Sequence, residues 1–133
     1  MILVDTSVWI DFLTGKESPH RHLLHQLIER EEDICLSEII LTEILQGIRD
    51  DSVYASTKDY LFEFPIIMPR STGTYLEAAE IYRRCRKQGK TIRKTIDCII
   101  AAIVRENRFT LLHNDGDFEI IEKCVGLKTV KVK

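Results

Sequence analysis

No stretch of this sequence approaches the roughly 20 apolar residues that a bilayer-crossing helix requires, and 30% of its residues are charged. A helical membrane span is thereby excluded as its organising feature. The opening MILVDTS has no basic region before its short apolar run and no small-residue cleavage site after it, so it does not read as a signal peptide, and an uncleaved cytoplasmic chain is expected. Zinc-finger and dithiol signatures are missing too. The four cysteines, Cys35, Cys85, Cys98 and Cys124, form no C-x-x-C pair and stand at no zinc-ligand spacing to a histidine. Their apolar settings, such as DICLS and TIDCIIAAIV, suit reduced thiols packed as small hydrophobes. His22 and His25 could face one another on a helix, a spacing more typical of surface histidines than of ligands. There is no excess of positive charge, since the net charge is −2, which excludes a globally basic nucleic-acid binder. Internal repeats, low-complexity tracts and linkers are also absent. What remains is 133 residues of which 44% are hydrophobic, enough to bury a core as one domain spanning 1–133.

Short apolar runs alternate with helical patterns. Ile2 to Val4 is a continuous apolar run ended by Asp5, as expected of a central strand buried on both faces. Thr6 or Ser7 can cap a helix carrying Val8, Ile10, Phe12 and Leu13 up to the stop Thr14-Gly15. Ser18-Pro19 opens a second helix, with Leu23, Leu24, Leu27 and Ile28 apolar, which ends in the acidic patch Glu29 to Asp33. Ile34 to Leu36 is a second strand, and Ser37 caps a helix bearing Ile40, Leu41, Ile44, Leu45 and Ile48, with Glu43 in its early turns. A helix over Val53 to Glu63 must stop before Pro65. Ile66 to Met68 is a third strand, and Tyr75 to Cys85 recur at helical spacing until Gly89. A helix capped by Thr95 carries Ile96 to Val104 and ends near Asn107, followed by a fourth strand at Phe109 to Leu112. Asp117 is expected to cap a short helix with Phe118, Ile120 and Ile121, and Thr129 to Val132 to form a last strand. This alternation predicts an α/β fold, an α/β/α sandwich with a short, mainly parallel central sheet and right-handed crossovers.

Such sheets gather their ligand sites at the carboxyl ends of the strands. Asp5 follows the first strand, Glu43 lies in the helix after the second, Asp97 opens the helix before the fourth, and Asp115 follows the fourth. All four are therefore expected on one edge. Asp97, flanked by Ile96, Cys98, Ile99 and Ile100, lies beside a buried stripe and near a helix amino end that favours an anion. Like charges so close raise one another's pKa values, and a divalent cation resolves the conflict. Oxygen-only ligands select a hard ion, Mg²⁺ or Mn²⁺, over zinc, and such an ion suits phosphoryl chemistry. Glu80 and Glu106 are expected on solvated helix faces, and with Asp117 they stand outside the cluster.

The blocks VDTSVWIDFL, LTEILQGI, IDCIIAAIV and LLHNDGDFEII, in this order and spacing over nearly the whole chain, resemble the signature blocks of PIN-domain, VapC-type toxin ribonucleases. The resemblance implies a PIN-like fold and a Mg²⁺-dependent endoribonuclease, held inactive by a cognate antitoxin protein and commonly a homodimer, with no membrane partner. Carried over by position, Asp5 and Asp97 match the principal metal ligands, and Asp115 and Glu43 the two further acids. Asp115 is grouped with the ligands, and all four acids with catalysis. Thr6 matches a supporting hydroxyl and Asn114 a frequent polar neighbour, while His113 departs from the small hydroxyl residue often found there. The implied chemistry is hydrolysis of an RNA phosphodiester by a metal-activated water.

One local source of attraction to RNA exists. Arg83 to Lys94 (RRCRKQGKTIRK) holds seven basic residues and no acid, and Arg86, Lys87, Lys90, Arg93 and Lys94 could meet an RNA backbone, an acidic antitoxin segment, or solvent alone. Two rival functions keep the same residues: a partner-regulated RNA-binding module with weak or no catalysis, and a different Mg²⁺ phosphohydrolase that uses an aspartyl nucleophile on the first strand. The second rival lacks the further aspartate two residues after Asp5, where Ser7 stands. Ser7 itself has no histidine fixed near it by sequence and suits a helix cap better than a nucleophile. The helices over Leu23 to Ile28, Ile40 to Ile48 and Val53 to Phe62 carry more apolar surface than so small a domain readily buries, as if awaiting a partner helix.

Overall fold

Strands of two to four residues, mostly buried and aliphatic, form the centre of the molecule. The computed structural model describes residues 1–132. The strands β1 (Ile2–Val4), β2 (Ile34–Ser37), β3 (Ile66–Ile67) and β4 (Thr110–Leu112) lie in the order β3-β2-β1-β4. All pairings are parallel, with Leu3 opposite both Cys35 and Leu111, and Leu36 opposite Ile66. Parallel pairing forces helical crossovers, and these cover both faces, giving the expected α/β/α sandwich. The helices α1 (Thr6–Thr14), α2 (Pro19–Glu29), α3 (Glu38–Gln46) and α4 (Asp51–Leu61) pack among themselves, as do α5 (Thr72–Lys87), α6 (Thr95–Asn107) and α7 (Gly116–Val125). None of these helices is long and apolar enough to cross a membrane.

Local chemistry explains most of the boundaries. Ser18 accepts from the N–H of Arg21 with Pro19 next to it, and Ser37 accepts from Ile40, so two expected caps are present. At the end of α1, Gly15 takes φ 76°, the left-handed geometry that glycine enters without a Cβ clash. Trp9 is fully buried and meets Phe12 and Phe64 edge-on, at 6.2 and 5.2 Å between ring centroids. These contacts tie α1 to the segment entering β3. The four cysteines are free thiols, and all but Cys124 are fully buried.

Several expectations are corrected. The cap of α1 is Asp5, not Thr6 or Ser7, because the Asp5 carboxylate itself accepts from the N–H of Ser7. Lys94, not Thr95, is the cap residue of α6, and its side chain makes no capping bond. Asp115 caps α7, leaving Asp117 inside the first turn and fully buried. The expected last strand is reduced to a single bridge between Thr129 and Leu111, because the hydroxyl of Thr129 and the ammonium of Lys131 both bond to Glu122 and draw the tail onto α7. Glu106 is an anchor rather than a solvated face, accepting from the Thr74 hydroxyl at 2.7 Å and the Arg70 N–H at 3.1 Å. His22 and His25 do not face each other; each pairs with its own glutamate, Glu17 and Glu29. The expected apolar surplus is only partly buried: Leu24, Ile40, Ile44 and Leu61 are in the core, Leu23, Leu27, Ile28, Leu41, Leu45 and Ile48 are half-buried, and Val53, Tyr54 and Phe62 remain exposed, Phe62 at 59%.

Candidate metal centre

The parallel sheet brings the ends of β1 and β4 side by side, where the Asp5 N–H donates to the carbonyl of Leu112 at 2.9 Å. Asp5 begins α1 at one strand end, and Asp115 begins α7 just beyond the other. The Ser7 hydroxyl joins them, donating to Asp5 Oδ2 at 2.8 Å and accepting from the N–H of Asn114 at 3.2 Å. Ser7 thus serves as a strut, its hydroxyl engaged on one side as donor and on the other as acceptor. Asn114 contributes its backbone to this strut and is otherwise exposed. From α3, Glu43 accepts the Thr6 hydroxyl at 2.7 Å, which fixes one carboxylate oxygen beside Asp5 and leaves the other unpaired by that bond.

Asp97 lies in the first turn of α6 and is 2% exposed. Its Oδ2 is buried with no hydrogen-bond partner among the described residues, the kind of orphaned polar atom that native structures rarely leave without a reason. Asp97, Asp115 and Asp117 each bring a ligand oxygen within 4.8 Å of the others. This tight triple differs from the expected Asp5, Asp97 and Asp115: Asp117, expected to be a solvated cap, is inside it, and Asp5 and Glu43 stand outside it, Asp5 acting on Asp97 and Glu43 on Asp5 and Lys94. A signal for Asp117 was available. It precedes Phe118 and lies four residues before Ile121, both fully buried, so it sits on the apolar face of α7 where a solvated cap residue would not.

Burial chiefly pushes Asp97 up to about 8, helped by a proton shared with Asp117 and by repulsion from Asp5 and Asp115, against the pull of Lys94. As carboxylates, Asp97 and Asp117 have no hydrogen between them; only when Asp97 keeps its proton can it donate to Asp117. Burial works upward on Asp117 as well, but the bonds from Asp97 and from Arg93 and Lys94 outweigh it and hold Asp117 below the usual carboxylate value. Those bonds run from the Arg93 and Lys94 N–H groups at 3.2 and 3.0 Å, so Asp117 satisfies the start of α6 from another helix. Burial raises Asp5, opposed by hydrogen bonds from Ser7 and Thr6 and reinforced by Glu43. A group of acids that repel one another, are partly protonated and contain an orphaned oxygen is what a hard divalent cation would relieve. The donor set fits such an ion.

The basic run is divided by the structure. Arg83 pairs with Glu80 on α5, Arg86 lies over the Tyr82 ring at 5.8 Å, and Arg86, Lys87 and Lys90 are exposed and pair with none of the described acids. Arg93 and Lys94 reach the centre: Arg93 Nη2 is 3.4 Å from Asp115 Oδ1, and Lys94 Nζ is 3.4 Å from Asp115 Oδ2. Desolvation of Lys94 works downward, but Asp97, Asp115 and Glu43 raise it above the ordinary lysine value. His113 closes the far side. Its ring stands 5.2 Å from Phe118 and its Nδ1 accepts from the Asp115 N–H at 3.1 Å. A surface concavity of about 700 Å³, lined by Ser18, His22, Leu23 and Val132 among others, includes none of these acids.

Residues 2–123 match the PIN domain family. Ribonuclease VapC11 of Mycobacterium tuberculosis and a VapC ribonuclease of Mycobacterium bovis are each 30% identical over 134 residues, covering the whole of both chains. Among solved structures, the fold is similar to VapBC2 from Rickettsia felis, determined bound to a DNA fragment from their promoter, with TM-score 0.76, 20% identity and 98% of each chain covered. It is also similar to VapC20 of Mycobacterium tuberculosis, described as a sarcin-ricin loop cleaving toxin, with TM-score 0.70 and 16% identity over 96% of this chain and 99% of that one.

Proposed function

The chain belongs to the PIN domain family, and on that premise we propose that it is a metal-dependent endoribonuclease, the toxin of a toxin–antitoxin pair, acting on RNA in the cytoplasm as one nuclease domain. The observation that carries this reading is the buried Asp97, whose unpartnered Oδ2 faces a site shared with Asp115 and Asp117. The ribonuclease relatives support the reaction class, and the toxin–antitoxin complexes with the same fold support a regulating protein partner.

Asp97 and Asp115 would hold the ion, joined by Asp5, whose charge reaches Asp97, since both oxygens of Asp117 are already taken by Arg93 and Lys94; the all-oxygen donor set favours Mg²⁺, or Mn²⁺, over a softer metal. The chemistry supplied by such an ion is acidification of a water and neutralisation of charge on the phosphate. The chain's own residues do the rest. Asp117 orients Asp97 and anchors the backbone of Arg93 and Lys94. Ser7 keeps Asp5 in register with the loop that carries Asp115. Glu43, steadied on one oxygen by Thr6, has the other available to take a proton from the attacking water. The guanidinium of Arg93, 71% exposed at the side chain, can meet the phosphate backbone.

The test is cleavage of a mixed RNA pool by purified protein with Mg²⁺, with and without excess EDTA, beside Asp97→Asn. We expect EDTA to stop cleavage and the variant to lose about 100-fold or more, since removing a metal ligand removes several kcal/mol of transition-state stabilisation. Cleavage surviving both controls would overturn the reading. Absence of cleavage from a folded wild type that still binds RNA would favour a binding module.

A further inference from the structure

Lys94 addresses the three clustered acids with two different parts of itself. Its backbone N–H donates to Asp117 Oδ2 at 3.0 Å, which pins the start of its side chain beside the cluster. Its ammonium then stands 3.4 Å from Asp115 Oδ2 and 3.9 Å from Asp97 Oδ2, the latter being the oxygen without a hydrogen-bond partner. As the cap residue of α6 it makes no capping bond that would employ the side chain elsewhere. Both distances to the acids exceed a good charged hydrogen bond, so the contact is a loose ion pair. With 51% of its side chain exposed, Lys94 can swing outward without breaking packing. Arg93 addresses Asp115 and Asp117 through their Oδ1 atoms and leaves Asp97 to Lys94.

Resting on the reading of these acids as a divalent-ion site, we propose that Lys94 is a built-in competitor for that ion: its ammonium occupies the space between Asp115 and Asp97 and pairs with Asp115 before the metal arrives, must withdraw as the metal binds, and so sets the concentration at which the site loads. A lysine is suited to this. It is a compact charge on a flexible stem, without the planar fork that would lock an arginine onto two carboxylates. A divalent ion approaches carboxylate oxygens to about 2.0–2.1 Å with twice the charge, so it displaces the ammonium, whereas a single protonated amine holds the acids only loosely. Removing the competitor therefore strengthens metal binding, which is the opposite of what losing a ligand or a structural ion pair does.

The test uses Mn²⁺ binding followed by electron paramagnetic resonance on the full chain, with no RNA present. Lys94→Met should bind Mn²⁺ about tenfold more tightly than wild type, the effect of one adjacent charge, while Lys94→Arg should stay at or below wild-type affinity and Asp97→Asn should abolish binding. In the wild type, labelling of the Lys94 amine by an acylating reagent, read by mass spectrometry, should rise severalfold when Mg²⁺ is added. Mn²⁺ binding that depends on Asp97 but is equal or weaker in Lys94→Met would overturn the competitor role and leave the metal site standing. No Mn²⁺ bound by any form would overturn the metal site and this inference with it. Labelling unchanged by Mg²⁺ in a protein that binds Mn²⁺ through Asp97 would also overturn it, whatever the variants do.

Discussion

The Ser7 hydroxyl accepts a hydrogen bond from the backbone N–H of Asn114 at 3.2 Å, across 107 positions of sequence. Because the same hydroxyl donates to Asp5, the two loops that carry Asp5 and Asp115 are held by one oxygen. Ser7→Ala should cost about 1 kcal/mol of stability and lower RNA cleavage about tenfold through misplacement of Asp5, with KM little changed. Urea denaturation and steady-state cleavage of the variant check both halves; full activity in Ser7→Ala would show that the strut is dispensable.

Asp97 gives a pH signature to the metal-free protein. With its folded pKa raised to about 8, above the unfolded value of about 3.9, the native state favours the protonated acid. Its contribution to stability is complete below the unfolded value and is lost as pH rises through the folded one. Asp97→Asn mimics the neutral form at every pH. In EDTA, the melting temperatures of wild type and variant should lie closest near pH 4, diverge as pH rises towards 8, and differ by about 5 °C or more in the variant's favour at pH 9. A gap that does not widen with pH would contradict the burial of this carboxyl as a charged group.

His113 responds to pH in the opposite sense. Burial chiefly lowers its pKa from the ordinary 6.5, with Glu119 and Glu122 opposing, so the neutral ring is the native one, and its Nδ1 serves as acceptor for the Asp115 N–H. That support is complete above the unfolded value and is lost as pH falls through the lower folded one. An NMR titration should show the Asp115 amide and the His113 ring shifting together, at a pH below the ordinary imidazole range. An Asp115 amide that stays still while His113 titrates would remove the link.

Glu106 serves as a structural control far from the acids. Glu106→Ala deprives the Thr74 hydroxyl and the Arg70 N–H of their acceptor and should cost about 1–2 kcal/mol. Cleavage per folded molecule should be unchanged, as measured at a temperature well below the variant's melting point.

The frame of the molecule was legible because its strands are too short and too buried to be anything else. Runs such as Ile2 to Val4 and Ile34 to Leu36 are aliphatic on both faces, and each is closed by a residue able to cap the helix that follows. Asp5, Glu43, Asp97 and Asp115 could be assigned to one edge because parallel strands leave no alternative for their carboxyl ends. Finer choices were not decided by local pattern. In DGD, both Asp115 and Asp117 can cap a helix; which one turns inward depends on unpaired N–H groups at Arg93 and Lys94, some twenty residues upstream. Likewise, Thr129 to Val132 alternates like a strand, but Glu122 competes for its side chains, and only the folded chain brings that glutamate near.

The two margins of the sheet have a consequence for how this chain meets others. At one margin β3 is two residues long and follows Pro65; at the other, the N–H of Leu111 donates to Lys128 and its carbonyl accepts from Val130, so the backbone of β4 is already occupied. Neither margin offers a ladder on which a foreign strand could grow. Association through exposed side chains, such as Phe62 at the end of α4 and Leu76 on α5, remains open. Through the margins of the sheet, however, copies of this chain have no path to strand-by-strand polymerisation.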